Sequence, residues 1–175
     1  MDGLNVNGRN RLRPLHFVNS VLALFVRGVG VLLLAACGSD GSVVPQRATY
    51  VATLTGSREI PPVVTTATGK ATFTLVGQTV TYTVLASGFA TPLTVGHVLI
   101  GPSGTTGLVI VPFNIIAQSG TVASGSIDLS VPITFGNVTI SGDSLHTLFE
   151  TSKAYVNLHT AAFPGGELRG QIVKQ

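Results

Sequence analysis

The chain of 175 residues contains a single cysteine, Cys37, so no internal disulfide can form. Charge is scarce as well, with ten lysines and arginines against seven carboxylates. The surplus cations are not clustered on the body of the protein. Arg9, Arg11, Arg13 and Arg27 precede Cys37 with only Asp2 against them, whereas from Cys37 onward six basic residues face six acidic ones. Binding driven by counterion release needs a concentrated cationic face. Nucleic acid is therefore excluded as a partner. Catalytic signatures are missing too: there is no Gly-x-Ser-x-Gly elbow and no glycine-rich phosphate loop opening a helix. The lone thiol has a different use.

Ahead of Cys37 the pattern is that of an export signal. Arg9, Arg11 and Arg13 form a positive start, and an apolar stretch runs from Phe17 to Ala36. It ends in Leu34-Ala35-Ala36-Cys37, which resembles the processing box of bacterial lipoproteins, where the signal is cut before a cysteine that then carries acyl chains. More than one chain is needed for stable anchoring, because each buried methylene contributes little. Arg27 interrupts the apolar run, which disfavours a spanning helix. It equally disfavours an ordinary signal core over the whole stretch; one resolution is a working start downstream, with Arg27 in the positive region and Val29–Ala36 as a short apolar core. The expected organisation is a lipoprotein-type signal over 1–36, a flexible tether over 37–47 and one folded domain over 48–175. The membrane is thus an expected partner through lipid (palmitate) on Cys37. Gly38, rather than an aspartate, follows that cysteine and favours the outer membrane, with the domain facing periplasm or exterior.

Beyond the Gly/Ser-rich tether the periodicity becomes two. Ala71, Phe73 and Leu75 alternate with threonines, as do Val80, Tyr82 and Val84, and Gly77-Gln78 between them predicts a tight hairpin. Further strands are predicted over Tyr50–Thr55, Leu93–Ile100, Leu108–Phe113, Ser119–Leu129, Lys153–His159 and Glu167–Val173, separated by Gly/Pro/Ser turns. Leu145, Leu148 and Phe149 instead recur at helical spacing behind Ser141 and Asp143, predicting one short helix near 143–151. The expected fold is all-β, an antiparallel β-sandwich of Greek-key or immunoglobulin-like kind, with that helix crossing between sheets.

Tyr155-Val156-Asn157-Leu158-His159-Thr160 followed by Gly165-Gly166-Glu167-Leu168-Arg169-Gly170-Gln171 resembles the closing signature of the CHRD (chordin-repeat) family. Leu54-Thr55-Gly56-Ser57-Arg58-Glu59-Ile60-Pro61-Pro62-Val63 resembles its opening strand and turn, and Gly69–Leu75 its second strand. The resemblance implies a β-sandwich outside the cytoplasm and brings no catalytic activity, hence a non-catalytic binding or structural module with a protein or glycan ligand.

The resemblance also directs attention to histidines. The family often carries Ala-His-Ile-His where this chain has Gly96-His97-Val98-Leu99. Alternate strand residues project to one face about 7 Å apart, so a His-x-His pair can hold one metal ion with a third ligand. Leu99 removes the second imidazole here. His97 and His159 nevertheless match the family's two strand histidines, and with Glu59 or Glu167 they form the candidate copper or zinc set. A metal-binding or redox envelope protein is therefore the alternative to a cofactor-free module. The ordinary reading gives both histidines structural hydrogen bonds, makes Glu59 an anchor for its loop and Phe163-Pro164-Gly165-Gly166 a tight turn, and leaves His146 solvated on the helix. Glu167 and Arg169, expected on one strand face, are either a ligand patch or an ordinary pair.

Overall fold

Threonines alternating with small or aromatic residues produce three long strands: β1 (Arg47–Thr55), β2 (Thr68–Val76) and β3 (Thr79–Ser87). In the computed structural model, which describes residues 45–175, these pair antiparallel in full register. The leader, Cys37 and the tether as far as residue 44 lie outside the described residues. Tyr50, Phe73 and Tyr82 stand opposite one another across the three strands on the buried face. On the other face Thr49, Thr74 and Thr81 are aligned in the same way. A one-residue slip would exchange the two rows, so burial of the aromatics specifies the register. Gly77, at φ 61°, and Gln78 make the two-residue turn between β2 and β3.

The remaining strands are β4 (Leu93–Ile100), β5 (Val109–Phe113), β6 (Gly120–Asp128), β7 (Ile133–Phe135), β8 (Val138–Ile140), β9 (Ala154–Thr160), β10 (Leu168–Gln171) and β11 (Val173–Lys174). The expected sandwich is realised as one continuously hydrogen-bonded antiparallel sheet in the order β5-β4-β9-β10-β1-β2-β3-β6, with β11 also on β1. The sheet curls until its ends approach. Tyr82 of β3 and Phe113 of β5 pack with ring centroids 5.0 Å apart, and Ile116 N donates to Val122 O across the remaining gap. β7 and β8 form a separate small hairpin that the sequence pattern did not indicate. Three residues per strand are too few to display a period.

The one helix, α1 (Gly142–Glu150), falls where Leu145 and Phe149 predicted it. Ser141 precedes its first turn, and the Ser141 hydroxyl accepts from Ser144 N at 3.1 Å. Buried Leu145 and Phe149 turn its apolar side to the sheet, where Phe149 meets the Tyr50 and Phe73 rings edge-on at 5.4 and 5.2 Å. Ser141→Ala removes this cap and is expected to destabilise the domain by about 1 kcal/mol in chemical denaturation. An unchanged midpoint and slope would show the cap to be energetically idle.

Candidate functional site

Strand β9 departs from the alternation of β1–β3, because both of its faces are covered. Val156 and Leu158 belong to the core, while Tyr155, Asn157 and His159 point to the opposite face. Such a face leaves polar side chains buried, and they must find partners within the protein. Segments on either side of β9 and β10 supply them. The Arg169 guanidinium lies 3.5 Å from the Tyr155 ring centroid and donates through Nη2 to Thr105 O. Tyr155 OH accepts from Gly107 N at 3.1 Å, and Gln171 Nε2 sits 2.7–2.9 Å from the carbonyls of Gly101, Ser152 and Ala154. Together these bonds hold the 101–108 loop down as a roof over the β9–β10 face.

Glu167 serves a different segment. Its carboxylate accepts from Thr65 Oγ1 at 2.6 Å and Thr160 Oγ1 at 2.5 Å, so it ties the loop after β1 to the end of β9. Glu167 and Arg169 therefore take separate partners. The charge that reaches Arg169 comes from Glu59, in the loop after the short 3-10 turn Gly56–Arg58. Only 5% of Glu59 is exposed. Burial pushes its pKa up to about 7 even though the Arg169 charge, the Ile60 backbone N–H and Asn157 all favour the anion. Asn157 Nδ2 is 3.4 Å from Glu59 Oε2, which ties the loop to the centre of β9. A cleft beside them is lined by Ser57, Arg58, Glu59, Ser103, Arg169 and Gln171.

The strand register brings the two candidate histidines together. His97 of β4 stands opposite Asn157 of β9, and Asn157 stands opposite Arg169 of β10. His159 lies two residues beyond Asn157 on the same face, diagonal to His97. Their ring centroids are 5.3 Å apart, edge to face. His159 Nδ1 is 2.9 Å from Pro164 O, an atom that can only accept, so Nδ1 carries the proton of that bond. Burial, then the neighbouring His159, lowers the His97 pKa. Gly166 closes the patch: at φ 127°, a Cβ there would stand 2.6 Å from Asn157 Oδ1 and 2.7 Å from Glu59 Oε1. Only glycine allows the turn so close to the two side chains.

Among the described residues, four buried side-chain atoms have no hydrogen-bond partner: Glu59 Oε1, His97 Nδ1, Asn157 Oδ1 and His159 Nε2. All four belong to this patch. No three histidine, cysteine, aspartate or glutamate side chains among the described residues are assembled as a ready metal site. Sequence reasoning singled out His97, His159 and Glu59 but missed Asn157, which touches Glu59 and faces His97. The signal for it was the alternation of Tyr155, Asn157 and His159 with apolar Ala154, Val156 and Leu158.

His146 is not the solvated residue expected. Its Nε2 lies 3.0 Å from Tyr50 OH and 3.3 Å from Glu150 Oε1, and its side chain is half-buried. Helix α1 packs through Phe149 on Tyr50 of β1 and Phe73 of β2 and lies beside β11, which brings this histidine to the Tyr50 hydroxyl. Tyr50 OH also donates to Glu150 Oε1 at 2.7 Å, and Lys174 Nζ meets the same carboxylate at 2.8 Å. This cluster fastens the helix and the C-terminal strand to β1.

No curated protein and no solved structure matches the chain. The CHRD domain matches residues 50–172, from within β1 to the residue that separates β10 from β11. This span takes in every strand of the curled sheet except β11, and the whole polar patch; the chain belongs to the CHRD domain family.

Proposed function

We propose that the protein is an exported, lipid-anchored module that presents its CHRD domain at the cell envelope and acts by binding or as structure. The CHRD family is not a known enzyme family, and its fold is a β-module suited to such a role. One observation carries the reading: the polar side chains that resembled chemistry hold loops in place. Arg169, Gln171 and Tyr155 secure the 101–108 loop, and Glu167 secures the loop after β1. The result is a stiff surface with a polar cleft of about 450 Å³ beside Arg58 and Arg169. A protein or glycan bearing hydroxyl or carboxylate groups matches that lining. The leader and Cys37 support the anchor, with the outer membrane favoured by Gly38.

Cys37→Ser is expected to abolish incorporation of labelled palmitate and to leave the apolar leader uncut, so that the variant accumulates as a larger precursor. Undiminished palmitate label, or a variant of the same size as the unmodified chain, would end the lipid-anchor reading. Recognition is read separately, with the full-length protein on a glycan array and on isolated cell-wall material. Arg58→Ala, an exposed change at the cleft rim, should weaken retention without lowering thermal stability.

A further inference from the structure

The four partnerless atoms have a common chemical character. Asn157 Oδ1 only accepts, and Glu59 Oε1 only accepts when ionised. His159 has its Nδ1–H turned to Pro164 O, which leaves a lone pair on Nε2 in the neutral ring. His97 Nδ1 completes the group: it has no partner in the chain and offers a lone pair when the ring proton sits on Nε2. Each such atom left unsatisfied in a buried setting costs free energy that a bound partner would recover. A patch whose unpartnered atoms offer lone pairs is shaped for a cation.

We propose that His97 Nδ1 and His159 Nε2 bind a divalent transition-metal ion, zinc or copper, on the polar face shared by β4 and β9, with Asn157 Oδ1 or water completing its sphere. The spacing of the rings fits. At metal–nitrogen distances of about 2.0–2.1 Å, an ion on both lone-pair axes lies roughly 3.2 Å from each ring centroid. A centroid separation of 5.3 Å then corresponds to a nitrogen–metal–nitrogen angle of roughly 110°, near tetrahedral. The carbonyl of Pro164 holds the far nitrogen of His159, the outer-shell bond that orients a ligating imidazole and raises its basicity. Imidazole nitrogen with amide or water oxygen suits zinc and copper over calcium and magnesium. Glu59 stays in the outer shell, where Arg169 offsets its charge. Because only two imidazoles are gathered, the site is an open one. The proposal stands apart from lipid anchoring and from recognition at the cleft.

The test uses the full-length chain in detergent with Cys37→Ser, which removes the one thiol, after stripping with a chelator. Cobalt is titrated as a spectroscopic probe and displaced by zinc, and copper is added separately. One equivalent of zinc is expected to bind, and His97→Ala and His159→Ala should each weaken it by about 100-fold or more. His146→Ala, on the helix, should leave the affinity unchanged. Long-range proton–nitrogen spectra of the unsubstituted histidines guard against variants that fail to fold. Zinc must move the resonances of His97 Nδ1 and His159 Nε2. Failure of both zinc and copper to bind at millimolar concentration would overturn the site and leave a buried water as the partner of these lone pairs. Undiminished binding by both alanine variants, or spectral changes confined to His146 and the leader histidine His16, would overturn it equally.

Discussion

Replacing Phe73 with alanine is expected to remove about 3–5 kcal/mol of unfolding free energy. Phe73 has no exposed surface and sits at the centre of the row Tyr50–Phe73–Tyr82 across β1, β2 and β3. Its ring also meets Phe149 edge-on at 5.2 Å, so it joins the helix to the sheet. Phe113 of β5 reaches the same cluster through Tyr82. The loss combines apolar transfer, a cavity that paired strands are too constrained to fill, and the favourable geometry of aromatic neighbours. Leucine at the same position keeps most of the volume and should cost less than half as much. Urea unfolding with a common slope measures both. A loss near 1 kcal/mol for alanine would mean that the curled sheet does not close around this residue as described.

Glu59→Gln should make the protein more stable at alkaline pH, by up to roughly 3 kcal/mol at about pH 8. Burial raises the folded-state pKa of Glu59 from 4.5 to about 7. Between those values the folded protein holds the proton that the unfolded chain has released. The associated stability is complete below pH 4.5 and is lost as pH rises through 7. At pH 8 the folded state must carry a buried carboxylate that Arg169 offsets only in part. Glutamine is neutral at every pH and escapes this cost. His97 acts in the opposite sense: its lowered pKa makes stability rise with pH in the range below 6.5. The comparison of parent and variant at each pH cancels that contribution. The two proteins should therefore be similarly stable at pH 4.5 and diverge above it, in denaturant titrations run with chelator. A difference that does not change with pH would refute the buried-carboxylate account.

Much of the fold was legible because the sheet writes its faces into the sequence. Strand β4 begins and ends at Leu93 and Ile100 as its pattern indicated, and the turn at Gly77-Gln78 follows from two alternating runs meeting at a glycine. The helix was equally readable, since Leu145 and Phe149 are spaced for one apolar side behind a serine cap. The patch was only half legible. The family resemblance nominated His97 and His159, with Glu59 as a carboxylate beside them, but nothing local told which faces were roofed. His146 shows the same limit: its helical position was readable, but Tyr50 and Glu150 became its neighbours only through packing.

The sequence by itself determined the strand alternation, the hairpin, the single helix and the family, because each is encoded over a few neighbouring residues or in one contiguous motif. Only the tertiary structure decided that the strands run as one curled sheet, and that His97 and His159, 62 positions apart, share a patch with Asn157 and Glu59. The reason is physical. Pairing register between distant strands, and the loops that cover β9, are set by the combined burial of many side chains across the domain, a property that no local stretch of chain contains.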